Sequence, residues 1–194
     1  MRKWANDADN QPENLVVRHF TALTLMTVFT LFAATAQSDF ANAEAPKKIA
    51  VFNFDLIDDS QEREMNGIRA DETQRLVLIS DELRRLLKTD ARYEAVDLTS
   101  IAADIERLKP MYKCNHCEDE LARKVGADYV MIGTVLKVSN LILNLNLFIK
   151  DVKADKIIKG MSSDIRSNSD DSWMHGIRWV VKNQLLADKQ PGQQ

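Results

Sequence analysis

Two cysteines offer the clearest chemistry in this 194-residue sequence, and they lie three positions apart as Cys114 and Cys117. The chain has no further cysteine, so a metal site here would take its other ligands from His116 and from carboxylates such as Asp119. Zinc sites usually combine two separated pairs of ligands, and the sequence offers no second pair. We therefore expect no bound metal, with His116 and Asp119 as the residues that a metal would use.

The cysteine pair has other interpretations. Haem attachment is excluded because it needs a histidine directly after the second cysteine, where the chain has Glu118. Redox catalysis needs a stabilised thiolate, but Glu118, Asp119 and Glu120 follow at once and oppose a negative charge there. In an oxidising compartment we expect a structural disulfide between Cys114 and Cys117. A thiol-disulfide or metal-handling function stays open as the alternative.

A group of acids that includes Asp55 and Asp58 follows the first apolar run of the chain. Ligands of parallel α/β sheets gather at the carboxyl ends of strands, so Asp55 and Asp58 could bind a cation or a small molecule. The spacing lacks the turn glycine of an EF-hand, and a solvated polar loop from Asp55 to Asn66 is the simpler interpretation. Sensing of a small molecule or cation here stays open as a second alternative.

A strand face is the third candidate. Residues 141–152 alternate between apolar and other side chains, which predicts a strand with one buried and one exposed face. Asn144 and Asn146 share the exposed face with Phe148 and Lys150. The opposite face carries Leu143, Leu145, Leu147 and Ile149. The face with Asn144, Asn146 and Phe148 could bind a partner protein, or it is the wet side of a sheet.

Catalytic signatures are absent from the sequence. From residue 46 onward it has two histidines, His116 and His175, and no nucleophile-elbow, dinucleotide-binding or P-loop glycine motif. Basic and acidic residues are interspersed, with a formal net charge of −3, so no basic nucleic-acid-binding surface is indicated. We expect a protein that is not an enzyme and has neither a cofactor nor a nucleic-acid partner.

The N-terminal region has the composition of a leader. Residues 20–38 carry no charge, and small residues alternate between Ala41 and Ala45 as they do before a signal-peptidase site. We predict a signal peptide over residues 1–45 and hence a periplasmic protein. An uncleaved membrane anchor stays open, because the uncharged run approaches the roughly 20 residues that span a bilayer. Acids within residues 1–17 do not suit a signal peptide, which predicts a true start near residue 16.

The remaining pattern predicts a single α/β (α+β) domain over residues 46–187 and a flexible tail over 188–194. Apolar runs rich in β-formers predict strands at 48–54, 93–98, 128–138, 141–152 and 156–166. Amphipathic spacing and capping residues predict helices at 76–87, 99–108 and 118–125 and a last one capped by Ser169. The predicted order is β-α-β-α-α-β-β-β-α, with one mixed five-stranded sheet packed with helices.

Several segments resemble those of known families. The runs beginning Ile49-Ala-Val-Phe-Asn-Phe, Arg92-Tyr-Glu-Ala-Val-Asp and Ala122-Arg-Lys-Val-Gly-Ala-Asp-Tyr-Val resemble the N-terminal domain of the Tol-system protein TolB and the curli secretion protein CsgG. Residues 48–186, with Cys114-Asn-His-Cys-Glu and Ser172-Trp, more closely resemble an uncharacterised family of secreted proteobacterial proteins, catalogued as a domain of unknown function. These resemblances imply a fold and an envelope location, and they transfer no functional residue.

From the leader, the resemblance and the missing catalytic set, we expect an exported, non-catalytic binding or envelope-assembly accessory domain. Its partner would be an envelope protein, recognised through the sheet face and its rim loops. The membrane would be involved only through an uncleaved leader. The sequence sets neither the specificity nor the oligomeric state.

Overall fold

The computed structural model describes residues 45–187. The predicted signal peptide and tail lie outside the described residues, so the signal peptide and the domain boundaries stay predictions. No helix within residues 45–187 combines the length and the apolar character needed to cross a bilayer.

Within the described part, six strands form one mixed sheet in the order β3-β1-β4-β5-β6, with β2 paired to β4. The strands are β1 (Lys47–Val51), β2 (Asp55–Asp58), β3 (Tyr93–Ala95), β4 (Tyr129–Ser139), β5 (Ile142–Asp151) and β6 (Lys156–Ile165). Strand β1 runs parallel to β3 and β4, and β2 runs parallel to β4. Strands β4, β5 and β6 form an antiparallel meander. The predicted mixed α/β fold is confirmed.

Five α-helices of residues 45–187 pack on this sheet. They are α1 (Gln61–Asn66), α2 (Ala70–Leu87), α3 (Ala102–Leu108), α4 (Cys117–Lys124) and α5 (Asp170–Val180). Short 3₁₀ turns lie at Thr99–Ile101 and Met111–Lys113, and a π-helical turn at Val181–Leu185 follows α5. Ser60 and Ser169 cap α1 and α5 by accepting backbone hydrogen bonds, as serine does at helix N-termini.

The prediction of five strands and of a polar loop over Asp55–Asn66 was wrong, because this segment holds both β2 and α1. Strand β4 is eleven residues long, and β1 pairs only with its first part. Strand β2 pairs with residues 134–137 of β4, so that Asp55 lies opposite Thr134. Its short DLID sequence, with an acid at each end, concealed the strand.

The two faces of the sheet differ in their cover. Helices α2 and α5 pack on one face, which we call the covered face, and the fully buried Trp173 lies in its core. Strands β4 and β5 give this core Met131, Val135, Leu143, Leu145, Leu147 and Ile149. On the opposite face α4 and the 3₁₀ turns cover a smaller core that includes Val130 and Leu121. The alternation predicted for β5 is confirmed.

Candidate functional site

The disulfide lies directly before α4. Asn115 and His116 both adopt left-handed backbone conformations, with φ of 48° and 72°, and the resulting tight turn brings Cys114 and Cys117 together. The two cysteines are joined in a disulfide, as the sequence predicts. Cys117 is the first residue of α4, so the carboxylates that follow it lie in the first turn, where the helix dipole favours negative charge.

Lys150 of β5 reaches these carboxylates from the sheet. Its Nζ atom lies 2.5 Å from Asp119 Oδ2, 2.7 Å from Asp155 Oδ1 and 3.2 Å from Glu118 Oε1. His116 Nδ1 lies 3.1 Å from Lys150 Nζ. We call these five residues the Lys150 cluster. Burial alone would lower the pKa of Lys150, but hydrogen bonds from its ammonium to the three carboxylates raise it well above the ordinary value.

The ammonium group of Lys150 lies at the centre of this cluster. His116, Asp119 and Asp155 each present one donor atom, and these atoms lie within 4.8 Å of one another. Lys150 Nζ contacts all three, so a protonated amine takes the position that a cation would use. Cys114 and Cys117 are oxidised and offer no thiolate. The geometry of the predicted metal candidates His116 and Asp119 is that of an ion-pair network.

A cavity of about 640 Å³ opens beside the Lys150 cluster, on the part of the sheet that α4 leaves uncovered. We call it the open trough. Its lining consists of Tyr112, His116, Glu118, Ile132, Thr134, Phe148, Lys150, Asp155, Lys156 and Ile157. Phe148 is 37% exposed and Ile157 is 56% exposed, and together they form a contiguous apolar patch in the trough. The trough therefore has an apolar floor and a charged end.

The absence of a side chain at Gly160 leaves room for the Phe148 ring on this floor. Gly160 of β6 lies opposite Phe148 of β5, and a Cβ at that position would meet the ring at 3.4 Å. Of the predicted surface residues, Phe148 lines the trough, whereas Asn144 and Asn146 continue the same face beyond it. Asn144 is engaged there, since its amide donates to Asp164 Oδ1 at 3.0 Å.

The structure does not bring Asp55 and Asp58 together. They lie three residues apart in β2, so their side chains point to opposite faces of the sheet. Asp55 accepts a hydrogen bond from the backbone N–H of Tyr112, and its burial raises its pKa. Strand β2 pairs with the part of β4 that extends past the end of β1. In open parallel sheets, ligands bind in the crevice at the carboxyl ends of the strands, and here β2 lies at that position.

Asp58 belongs instead to a second lysine cluster, which the sequence did not reveal. Lys137 of β4 is fully buried on the covered face. Its Nζ atom lies 2.6 Å from Glu72 Oε1, 3.0 Å from Glu62 Oε2 and 3.4 Å from Asp58 Oδ2. We call these four residues the Lys137 cluster. Although burial opposes the charge, hydrogen bonds from Ser60 and the charge of Lys137 lower the pKa of Asp58.

Comparison with protein families gives one match, which covers most of the described part. The family described as "Protein of unknown function (DUF2380)" matches residues 47–185. No curated protein matches the chain.

Solved structures show weaker similarities. The LpoB C-terminal domain from Escherichia coli is 16% identical with a TM-score of 0.47, over 73% of this chain and 94% of that one. The lipoprotein GNA1162 from Neisseria meningitidis is 16% identical with a TM-score of 0.48, over 75% and 100%. TolB from Acinetobacter baumannii is 14% identical with a TM-score of 0.34, over 66% and 25%. The likeness to TolB is thus weak, and the likeness to CsgG stays a prediction.

Proposed function

Since the chain belongs to the family described as "Protein of unknown function (DUF2380)" and that description names no activity, we propose from its geometry that it is a non-catalytic binding domain of the bacterial envelope. The open trough is its recognition surface, and the ligand is an envelope protein. The predicted leader supports the location. The exposed apolar floor supports the binding role.

The observation that carries this proposal is the contrast between the two faces of one sheet. On the covered face the inward side chains of β5 are at most 2% exposed, because α2 and α5 cover them. On the other face Phe148, in the same strand, is exposed beside Ile157. Removing apolar surface from water is favourable by about 25 cal/mol per Å². A protein that covers the trough therefore forms a complex that is stabilised by the burial of this patch.

The polar groups at the charged end of the trough are better suited to binding a partner than to catalysing a reaction. The raised pKa of Lys150 keeps its amine protonated at neutral pH, so it is neither a nucleophile nor a base there. The disulfide removes the thiolates of Cys114 and Cys117. The charged groups therefore serve to orient a bound surface.

A pair of matched surface variants tests the proposal in the cell that makes the protein. Phe148→Asp places a charge on the trough floor, and Val77→Asp places the same charge on α2, where Val77 is 46% exposed. After reversible cross-linking, the tagged full chain is purified and the attached proteins are quantified by mass spectrometry. We expect at least one envelope protein to be lost with Phe148→Asp and retained with Val77→Asp. Recovery of the same proteins with both variants would refute the proposal.

A further inference from the structure

We infer that the open trough binds a segment of the partner protein in which apolar side chains flank one cationic side chain, Lys or Arg. The inference rests on the proposed function and adds the chemistry of the ligand. Three features support it: an unused carboxylate oxygen, the charge of the Lys150 cluster, and the position of the apolar floor.

Glu118 supplies the unused oxygen. This residue is only 7% exposed and lines the trough. One oxygen, Oε1, accepts from Lys150 at 3.2 Å. The other, Oε2, lies 3.3 Å from Cys114 Sγ, and a disulfide sulfur carries no hydrogen to donate. Within residues 45–187, no group thus donates a hydrogen bond to Oε2 of Glu118, and a donor that enters the trough can pair with this charged oxygen.

The charge of the site favours a cation as the missing donor. Glu118, Asp119 and Asp155 each carry a negative charge, and Lys150 compensates only one of them. Asp119 is 1% exposed and its Oδ1 atom also lacks a partner in the described part. Lys156 lies at the rim, so Lys150 and Lys156 set two positive formal charges against the three carboxylates, and the sum for these five groups is −1. A carboxylate or phosphate would meet this excess of negative charge, whereas an ammonium or guanidinium would neutralise it.

The apolar floor selects the rest of the ligand. Ile132, Phe148 and Ile157 lie beside the charged end in the same cavity. Lys and Arg carry long aliphatic stems that lie along apolar surfaces while their charged ends reach polar groups. An aromatic ring such as that of Phe148 attracts a cation to its face. A volume of about 640 Å³ holds one such side chain together with its apolar neighbours.

Three peptides test the inference with the full chain as purified from the cell. Each has the sequence Gly-Ser-Leu-X-Leu-Ser-Gly and a fluorescent label, with Lys, Gln or Glu at X. Dissociation constants come from fluorescence anisotropy. We expect the Lys peptide to bind at least tenfold more tightly than the other two, and added salt to weaken its binding. Glu118→Gln and Asp155→Asn should each reduce that preference, while Asp81→Asn, an exposed acid on α2, should leave it unchanged.

Asp155 is 55% exposed, so Asp155→Asn remains informative if Glu118→Gln does not fold. Equal affinity for the three peptides, or binding to none of them, would overturn the cationic specificity. Either result would leave the proposed function standing if the cross-linked partner still depends on Phe148. Tighter binding of the Glu peptide would also overturn the inference and would indicate an anionic ligand.

Discussion

The Lys137 cluster and the Lys150 cluster hold the same kind of charge in different surroundings. Both lysines lie on neighbouring strands of one sheet, on opposite faces, and each is bonded to three carboxylates. Lys137 is fully buried on the covered face, whereas Lys150 lines the open trough. Each cluster has one almost fully buried carboxylate, Glu72 or Asp119, but the most exposed partner of Lys137 is Glu62 at 25%, whereas that of Lys150 is Asp155 at 55%. The enclosed cluster joins β2, α1, α2 and β4, while the open cluster can still take a ligand.

Replacement of Lys137 should have the largest effect on stability. Lys137→Met removes the nearest cation of Glu72, which is 1% exposed, and leaves it Arg69 at 3.8 Å; breaking a buried pair costs about 3–5 kcal/mol. Lys150→Met also removes the lysine partner of the buried Asp119, but it should cost less, about 1.5–3 kcal/mol, because Asp155 is 55% exposed and water solvates it. Urea unfolding of both variants measures these free energies. An equal loss for both variants would contradict the distinction between the two clusters.

Two glycine variants sharpen the comparison of the faces. A Cβ at Gly133, on the covered face, would collide with the ring of the buried Phe54, so Gly133→Ala should cost about 1–3 kcal/mol. At Gly160 the added methyl group would meet Phe148 at an ordinary contact distance of 3.4 Å, and that ring can move toward solvent. Gly160→Ala should change the unfolding free energy by less than about 0.5 kcal/mol. A larger loss from Gly160→Ala would mean that Phe148 is held as rigidly as the core.

Acid should weaken the Lys137 cluster in a defined pH range. Hydrogen bonds from Lys137 and Arg69 lower the pKa of Glu62 to about 2, from 4.5 for a free side chain. Because the folded pKa is the lower one, the stabilisation is complete above the unfolded value and is lost as pH falls from about 4.5 to 2. Glu62→Gln should therefore flatten the decline of the urea midpoint over this range. An unchanged slope would exclude Glu62 as a cause.

The disulfide should contribute modestly to stability. It closes a loop of only four residues, so replacing Cys114 and Cys117 by Ser should cost about 2 kcal/mol or less and lower the melting temperature slightly. Binding to the trough should persist, because Phe148 and Lys150 belong to the sheet. A variant that folds normally but no longer binds its partner would support the alternative role of the cysteines in thiol chemistry.

Local patterns in the sequence predicted much of the fold. The alternation of β5 placed Phe148 and Lys150 on one face and Leu145 and Leu147 on the other, and the structure has this arrangement. The spacing of Cys114 and Cys117 predicted their disulfide. These features depend on neighbours in sequence, so periodicity and spacing are enough to find them.

The two clusters could not be predicted in this way, because their members are far apart in sequence. Glu72 and Lys137 are 65 residues apart, and Asp119 and Lys150 are 31 apart. One signal was present for Lys137, since it continues the alternation of Met131 and Val135 and hence points into the covered core. The trough needed β4, β5, β6 and the turn before α4 to be placed together.

Site-specific photo-cross-linking tests the central claim most directly. A benzophenone amino acid replaces Phe148 in one strain and Val77 in another, and both full-length proteins are irradiated in living cells. If the open trough is the recognition surface, position 148 gives a discrete adduct with an envelope protein and position 77 does not. Adducts of equal yield from both positions, or none from position 148, would contradict the account.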